Sequence, residues 1–514
     1  MKRFLTVPTP LILLSLLSLC LTPLAVVRAA EMAPVKPNFV VINIDDMGYA
    51  DIGPFGSKIN RTPNLDRMAK EGRKLTSFYG APVCSPSRSA LMTGCYPKRV
   101  LPIPNVLFPI SAVGLNPAER TVAELLKEAG YATACIGKWH LGDQPEFLPP
   151  RRGFDYYLGL PYSNDMGPGE DGSKSSLGEP LPKRAADSER SAPASIAETG
   201  LAGPNQPPLP LVENETVIAR VRQDEQQGLV ERYTTAAVKF IGAHKDTPFF
   251  LYLPHNAVHF PIYPGKKWAG QSPRGNYSDW VEEVDWSVGR VLDTLRELHL
   301  DSRTLVLFTS DNGGTPRAVN APLRGFKGST WEGGMREPTI AWWPGKIPAG
   351  TSSDAISGMF DVLPTLVKLA GGKAPADRKL DGGDLWPVLA GEEGAKSPHE
   401  VFYYYNGLKL QGVRSGPWKL RFASADPPAG KNAKKQNAVG QDQLYNLDSD
   451  IGESTNVAEA NPSEVARLRA LADAMKDDLG LDGIGPGVRP LGRVANPQPL
   501  IGADGKIREG FGPK

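Results

Sequence analysis

The run from Asn38 to Ile44, followed by the acidic pair Asp45 and Asp46, constrains the fold of this chain more than any other stretch. The run is almost continuously apolar and rich in Val and Ile, which is typical of a strand buried on both faces of a sheet. Two adjacent carboxylates at the end of such a strand repel each other unless a cation lies between them. The pair therefore indicates either a divalent metal site or a solvated turn.

Further strands and helices alternate along the chain. Strands are predicted at 132–136, 249–253, 304–309 and 339–343. Helices are predicted at 62–74, 89–93, 121–129, 231–244, 281–300 and 359–370, the third of them opened by a capping box of Thr121 and Glu124. The alternation predicts an α/β fold with a large, mixed, mainly parallel sheet flanked by helices.

In α/β proteins with a sheet of this kind, ligands bind beyond the carboxyl ends of the strands. The polar residues predicted at those ends are Asp45, Asp46, Lys138, His259, Asp311 and Asn312. Each of them alone is a common surface residue, and it is their shared position that indicates a site. Cys84 is predicted in a loop before the 89–93 helix, whose N-terminus would favour an anionic substrate.

The domain plan begins with a basic, then apolar start that indicates an export signal over residues 1–30. A membrane anchor and a lipid anchor at Cys20 are less favoured alternatives. A catalytic domain is predicted at 31–395, with a loop insertion at 165–214 that lacks periodicity. Residues 396–514 are predicted to form a smaller α+β subdomain of antiparallel strands packed with a helix, followed by a loosely held tail after Gly480.

Charge and cysteine content narrow the function classes. Loss of residues 1–30 would change the net charge from +2 to −1, which argues against nucleic acid or a membrane surface as a partner. An exported chain would keep Cys84, Cys95 and Cys135, an odd number where thiols normally pair. One of the three is therefore expected to be free or chemically altered.

The stretch Cys84-Ser85-Pro86-Ser87-Arg88, with Ser89-Ala90-Leu91-Met92-Thr93-Gly94 after it, resembles the signature of the type I, formylglycine-dependent sulfatases. These arylsulfatase A-like enzymes belong to the alkaline phosphatase-like superfamily. The resemblance implies that a formylglycine-generating enzyme oxidises Cys84 to formylglycine, leaving Cys95 and Cys135 to pair or remain free. It also implies one calcium ion held by Asp45, Asp46, Asp311, Asn312 and an oxygen at position 84.

The resemblance further implies the reaction. One hydroxyl of the formylglycine hydrate attacks the sulfur of a sulfate ester, and the other hydroxyl then expels sulfate. The matching side chains are Lys138 and Lys327 as sulfate ligands, His259 as proton donor to the leaving oxygen, His140 as the base for sulfate release, Arg88 as a support for the hydrate, and Ser163 as a hydrogen-bonding group near the site.

Three functions remain open at this point. An exported, periplasmic or secreted hydrolase of sulfated small molecules or glycans is favoured, without stable membrane insertion after signal cleavage. A phosphate or phosphonate ester hydrolase would use the same metal cradle, and a non-catalytic sulfated-glycan-binding protein would use only its anion site. His255 is expected to form hydrogen bonds with backbone groups of its loop, and contact with the substrate is the alternative.

Overall fold

A large twisted sheet forms the centre of the protein in a computed structural model that describes Met1 and residues 36–182, 197–425 and 441–513. Its strands are β1 (Asn38–Ile44), β2 (Arg73–Tyr79), β4 (Ala132–Ile136), β5 (Tyr156–Gly159), β6 (Pro210–Glu213), β7 (Thr216–Arg220), β8 (Phe249–Pro254), β9 (Thr304–Ser310), β10 (Arg336–Trp342), β11 (Thr351–Ser353) and β12 (Ser357–Gly358). A short strand β3 (Val113–Gly114) lies outside this sheet.

The strand order is β11-β2-β10-β9-β1-β8-β4-β5-β6-β7, with β12 paired to β2. The central strands β9, β1, β8, β4 and β5 run parallel, whereas β10 and β6 join antiparallel on either side. The predicted mixed, mainly parallel sheet is therefore confirmed. All central strands deliver their carboxyl ends to one edge.

Helices cover both faces of the sheet. The helices in the described part of the chain are α1 (Pro63–Glu71), α2 (Cys84–Thr93), α3 (Pro97–Val100), α4 (Val122–Glu128), α5 (Gln223–Gln226), α6 (Leu229–Ala243), α7 (Asn276–Glu297), α8 (Glu332–Met335), α9 (Val362–Leu369), α10 (Trp386–Ala390) and α11 (Pro462–Asp473). In β1, Phe39 and Val41 pack in one apolar core, while Val40, Ile42 and Ile44 pack in a second core that α6 and α7 share. This alternation is the reason the strand is apolar throughout.

A second sheet follows near the C-terminus. Its antiparallel strands are β13 (Val401–Asn406), β14 (Lys409–Ser415), β15 (Trp418–Arg421) and β16 (Gln443–Asn446), and α11 packs on β14 and β15. The predicted α+β arrangement of this region is confirmed. The boundary at 395/396 stays a prediction, because residues 36–514 form one compact unit.

Two boundary predictions are wrong. The helix predicted at 62–74 ends at Glu71, and Arg73 opens β2. Cys84 does not lie in a loop but is the first residue of α2. Pro86 made the stretch look non-helical, yet it occupies the first turn, where a backbone N–H has no partner within the helix.

The insertion and the tail are more ordered than the sequence suggested. Pro210–Glu213 of the 165–214 insertion forms β6, which pairs with β5 and β7. In the tail, β17 (Gly492–Arg493) pairs with β3, and the Phe511 carbonyl accepts a hydrogen bond of 2.8 Å from the Val217 amide. The tail is therefore docked on the catalytic region.

The export signal, Cys20 and residues 183–196 of the insertion lie outside the described residues. Among the residues that are described, no helix has the length and apolar character needed to cross a membrane.

Candidate active site

The carboxyl ends of β1 and β9 bring the predicted metal ligands together. Ile44 pairs with Ser310 in the parallel register, so Asp45 and Asp46 emerge beside Asp311 and Asn312. The Asp46 amide donates to Asp311 Oδ1 at 3.3 Å, and Asn312 Nδ2 donates to Asp46 Oδ1 at 2.7 Å. Residues more than 260 positions apart in the chain thus form one buried oxygen-rich cluster.

Cys84 lies against this cluster at the N-terminus of α2. Its Sγ is 3.2 Å from Asp45 Oδ1 and 3.4 Å from Lys327 Nζ. Burial raises the pKa of the thiol well above its usual value, and Asp45 raises it further, although Lys138 and Lys327 oppose the change. The helix start aims the side chain of residue 84 at the centre of the charged groups.

Arg88 follows Cys84 by four residues and lies on the same face of α2. Its Nε and Nη2 donate to Asp311 Oδ2 at 3.0 and 2.8 Å, and its Nη1 donates to the Lys138 carbonyl at 2.6 Å. Nη2 is also 3.6 Å from Asp45 Oδ2. A fully buried guanidinium therefore connects α2, β9 and the segment after β4.

Lys138 enters the site from the end of β4. Its Nζ forms an ion pair with Asp45 and a 3.2 Å hydrogen bond with Ser163 Oγ, and both charged groups are fully buried. Gly137 directly before it has a φ of 135°, and a Cβ there would come within 1.9 Å of the Pro254 carbonyl oxygen. Only glycine permits this approach, which places Lys138 beside β8.

Ser163 and His259 form the next layer. Ser163 Oγ is 3.3 Å from His259 Nδ1, and His259 Nε2 is 3.7 Å from Asp46 Oδ2. Lys327 completes the group, with Nζ 2.7 Å from Asp46 Oδ1. The Lys327 side chain is 20% exposed and that of His259 is 11% exposed, whereas the Asp and Arg side chains beneath them are buried. The site therefore opens to solvent on the Lys327 and His259 side.

His140 is also placed in the site, on a left-handed backbone. Its φ is 63°, as is that of Asp46, a conformation that costs non-glycine residues about 1–2 kcal/mol. The His140 amide is held by the Pro161 carbonyl at 3.1 Å, and ring Nε2 lies 2.8 Å from the Leu107 carbonyl. Within the described chain, Nδ1 is buried without a hydrogen-bond partner. Burial, Lys138 and Arg88 lower the pKa of His140 well below its usual value, so the ring is neutral.

Three acids and three strong bases balance one another in this cluster. Burial alone would raise the pKa of Asp45, but Lys138, His259, Arg88 and Lys327 together hold it well below the usual value. Burial and the neighbouring Asp45 raise the pKa of Asp311 to about 6, although Arg88 opposes the change. Because buried charges need partners, the balance makes the cluster suitable for a cation and an anion bound together.

The donor set fits a hard divalent cation. Four residues each offer one possible ligand atom within 4.8 Å of the others, and they are Asp45, Asp46, Cys84 and His259. The predicted ligand Asp311 is not part of this group. Asn312 Oδ1 adds a buried oxygen that has no hydrogen-bond partner among the described residues. Carboxylate and amide oxygens are the ligands that Ca²⁺ prefers, and an oxygen at position 84 would suit it better than sulfur.

Other titratable residues fall outside the cluster. His255 does not satisfy loop backbone as expected; its Nε2 lies 3.0 Å from Ser287 Oγ on α7. In the part of the chain that is described, Cys95 and Cys135 are buried free thiols and form no disulfide.

Glu337 on β10 is a buried acid that could not be anticipated, because it precedes the predicted strand at 339–343 and lies between Arg336 and Pro338. Burial raises its pKa well above the usual value, and the carboxylates of Asp311 and Asp46 raise it further. It is therefore a neutral acid that is influenced by Asp46 and Asp311, two of the predicted metal ligands.

Comparison with known proteins agrees with this geometry. The family model described as "Sulfatase" matches residues 37–372, and that described as "C-terminal region of aryl-sulfatase" matches residues 397–481. The chain is 38% identical to arylsulfatase A of Homo sapiens over 473 residues, covering 86% of this chain and 88% of that protein. It is 37% identical to N-acetylgalactosamine-6-sulfatase of Canis lupus familiaris, covering 76% of this chain and 73% of that protein.

A solved structure shares the fold as well. Ps i-CgsB in complex with k-i-k-neocarrahexaose is 29% identical, with a TM-score of 0.67 over 85% of this chain and 92% of that chain. The first family model covers more than half of the 514 residues, and its region contains the whole charged cluster. The chain therefore belongs to the sulfatase family, whose members hydrolyse sulfuric esters.

Proposed function

We propose that this sulfatase acts on sulfated carbohydrates, with formylglycine made from Cys84 and one bound Ca²⁺. The observation that carries the proposal is the position of Cys84 Sγ, within 3.4 Å of both Asp45 and Lys327 at the start of α2. Sγ marks where the oxygens of a converted residue 84 would lie. A nucleophile at this point would meet an anion held by the surrounding cations.

The chain offers a complete set of residues for the two groups. Asp45, Asp46, Asp311 and Asn312, with an oxygen of residue 84, would hold the calcium ion. When bound, calcium and the formylglycine hydrate supply charge stabilisation and the attacking hydroxyl. Asn312 Oδ1, which has no hydrogen-bond partner in the described part of the chain, and the all-oxygen composition of the set support this assignment.

Lys138 and Lys327 would bind the sulfate oxygens. The Lys138 ammonium already forms an ion pair with Asp45, and that of Lys327 forms one with Asp46, so both remain fixed in a largely water-excluded site. Fixed cations in such a site stabilise the charge that develops in a transition state without reorganising. Arg88 would hold Asp311 and Asp45 in place beneath residue 84.

His259 and His140 would move the protons. His259 lies on the open side, where a leaving alcohol would depart, and donation of a proton there is worth about 10²–10⁴-fold in rate. Ser163 would orient its ring. The Leu107 carbonyl makes Nε2 of the neutral His140 the protonated nitrogen, which leaves Nδ1 able to accept a proton.

Two similar proteins support a carbohydrate substrate. One is an N-acetylgalactosamine-6-sulfatase, and the other was solved in complex with k-i-k-neocarrahexaose. Export and maturation by a formylglycine-generating enzyme complete the proposal, because a signal over residues 1–30 would take the chain to a periplasmic or extracellular site where sulfated glycans occur.

Mass spectrometry of the peptide containing residue 84 tests the modification directly. The expected result is an aldehyde or its hydrate in the active enzyme; an unmodified thiol in fully active enzyme would refute the proposal. The Cys84→Ala variant should lose sulfate release, whereas Cys95→Ala, a matched change at another buried thiol, should keep it. Activity that survives Cys84→Ala would remove the catalytic role of this residue.

Substrate class needs a separate measurement. Sulfate esters and phosphate esters of the same alcohol, compared at one calcium concentration, should show a clear preference for sulfate. A preference for phosphate would favour the phosphate or phosphonate hydrolase. Binding of sulfated glycans without any release of sulfate would favour the non-catalytic alternative.

A further inference from the structure

A cavity separate from the charged cluster lies between the first turn of α6, the N-terminal half of α7 and the loop that follows His259. Its volume is about 590 Å³, within the ordinary range of small-ligand sites. Two indole rings, Trp268 and Trp286, form one wall, with centroids 6.1 Å apart and planes inclined by 48°. We propose that this cavity, the tryptophan pocket, binds a sugar ring of a sulfated glycan at a distance from the sulfate being cleaved.

The topology places the pocket at the same end of the sheet as the active site. The C-terminus of α6 leads into β8 and that of α7 leads into β9, so both helices begin at the edge where the parallel strands end. The loop that carries Trp268 starts only a few residues after His259. The pocket and the active site are therefore connected by a short stretch of chain at one end of the sheet.

Hydrogen bonds join the pocket wall to the active-site loops. Gln227 of the wall donates to the Pro264 carbonyl at 3.0 Å. The preceding Gln226 accepts a 3.1 Å hydrogen bond from Asn164, which itself donates to the Pro261 carbonyl at 3.2 Å. Asn164 directly follows Ser163, so the wall and the catalytic loop are held in one arrangement.

The chemistry of the lining suits a sulfated pyranose. Such a ring has an apolar C–H face, which packs on an indole, and a rim of hydroxyls, which needs donors and acceptors. The polar residues that line the pocket supply both, among them Arg61, Gln227, Glu231, Lys267 and Glu283.

Lys267 at the rim can leave its partner for a sulfate group at small cost. It pairs with Glu231 at 2.6 Å, and because the two side chains are 77% and 53% exposed, the pair contributes little to stability. Arg61 is held more firmly, since the side chain of its partner Glu282, at 2.7 Å, is only 6% exposed. At the floor, Glu283 accepts a 2.7 Å hydrogen bond from the Gly265 amide. Burial raises the Glu283 pKa to about 8, so the floor adds little negative charge at neutral pH.

The test uses the full chain with Cys84→Ala, so that binding is read without turnover. Neocarrahexaose and a chondroitin 6-sulfate hexasaccharide serve as probes, and binding is followed by calorimetry. Adding Trp286→Ala or Trp268→Ala should weaken binding about tenfold, as expected for loss of an aromatic stacking partner. Phenylalanine at either position should restore part of the affinity. Trp386→Ala, a change at a half-buried tryptophan that packs on Trp343 elsewhere, should leave it unchanged.

A second measurement shows whether the variant enzyme is still correctly folded. In the otherwise unaltered enzyme, Trp286→Ala should raise KM for a sulfated oligosaccharide while kcat/KM for a small aryl sulfate stays the same. The inference rests on the proposed carbohydrate substrate, but the two can fail separately. Equal binding of the hexasaccharides by the variants and their parent, or binding of neither probe by the parent, would overturn the tryptophan pocket. Absence of sulfate release from every ester would instead overturn the proposed function.

Discussion

Replacing Lys419 by methionine removes the cation that joins the C-terminal sheet to the segment after Lys327. Lys419 Nζ contacts the Thr330 carbonyl at 2.9 Å, Glu332 Oε1 at 2.8 Å and Glu453 Oε1 at 2.7 Å, and all three charged side chains are fully buried. Methionine has nearly the same shape, so the change removes charge and hydrogen bonds rather than volume.

The expected loss is about 3–5 kcal/mol of unfolding free energy at pH 8, because removing one partner of a buried ion pair leaves uncompensated charge. Glu332 keeps Arg336 at 3.3 Å and two tyrosine hydroxyls, so most of the penalty falls on Glu453. Burial already raises the pKa of Glu453, and loss of Lys419 raises it further. A carboxyl whose folded pKa exceeds its unfolded value destabilises the fold increasingly as pH rises. The loss should therefore be smaller at pH 5 than at pH 8.

Urea unfolding followed by circular dichroism at the two pH values measures both effects. The double variant Lys419→Met with Glu453→Gln should recover a large part of the loss, since it removes the unpaired carboxylate. Lys368→Met is the matched control, because that lysine is 70% exposed in its pair with Asp384, and it should change nothing measurable. A loss below about 1 kcal/mol at pH 8, or a loss independent of pH, would refute the reasoning.

Two further predictions concern protonation and metal binding. Burial lowers the pKa of His255 to about 3, so the unfolded chain binds this proton more readily, and stability should fall as pH drops from about 6.5. In urea unfolding, the His255→Gln variant should lose less stability between about pH 6.5 and acidic pH than the parent, while sulfate release at pH 7 persists. An equal loss in both proteins would contradict the buried, neutral state of His255. Calcium at 100 times its dissociation constant should add about 2.7 kcal/mol of stability. Thermal scans with and without EGTA should show less of this gain in Asn312→Leu, and an equal gain would exclude Asn312 as a ligand.

Local sequence patterns were sufficient for most of the secondary structure. β1 and β4 occur at their predicted residues, and α4 begins at the predicted capping box, in which Thr121 Oγ1 accepts from the Glu124 amide at 3.1 Å. These features depend on side chains within a few residues of one another, so the sequence contains their full physical cause. The errors came where a local signal was ambiguous, as at Pro86, or weak, as in β6.

The residue types of the site were likewise readable from the sequence, since acids and amides after apolar runs mark strand ends. Their mutual contacts were not. The 3.2 Å approach of Cys84 to Asp45 and the Arg88 contacts to Asp311 depend on the strand order and on the exact start of α2. The contact between His140 and the Leu107 carbonyl could not be predicted, because every residue has a backbone carbonyl and the sequence does not mark which one is used.

An α/β sheet with oxygen-rich strand ends and a sulfatase-like cysteine motif could be predicted from the sequence. The ion pairs of Lys138 with Asp45 and of Lys327 with Asp46, and the packing of Trp268 near Trp286, became visible only in the folded chain. The two kinds of feature differ in the sequence distance over which they act. Hydrophobic periodicity and caps act over one or two turns, whereas these contacts join distant segments whose meeting depends on how the whole sheet is ordered and packed.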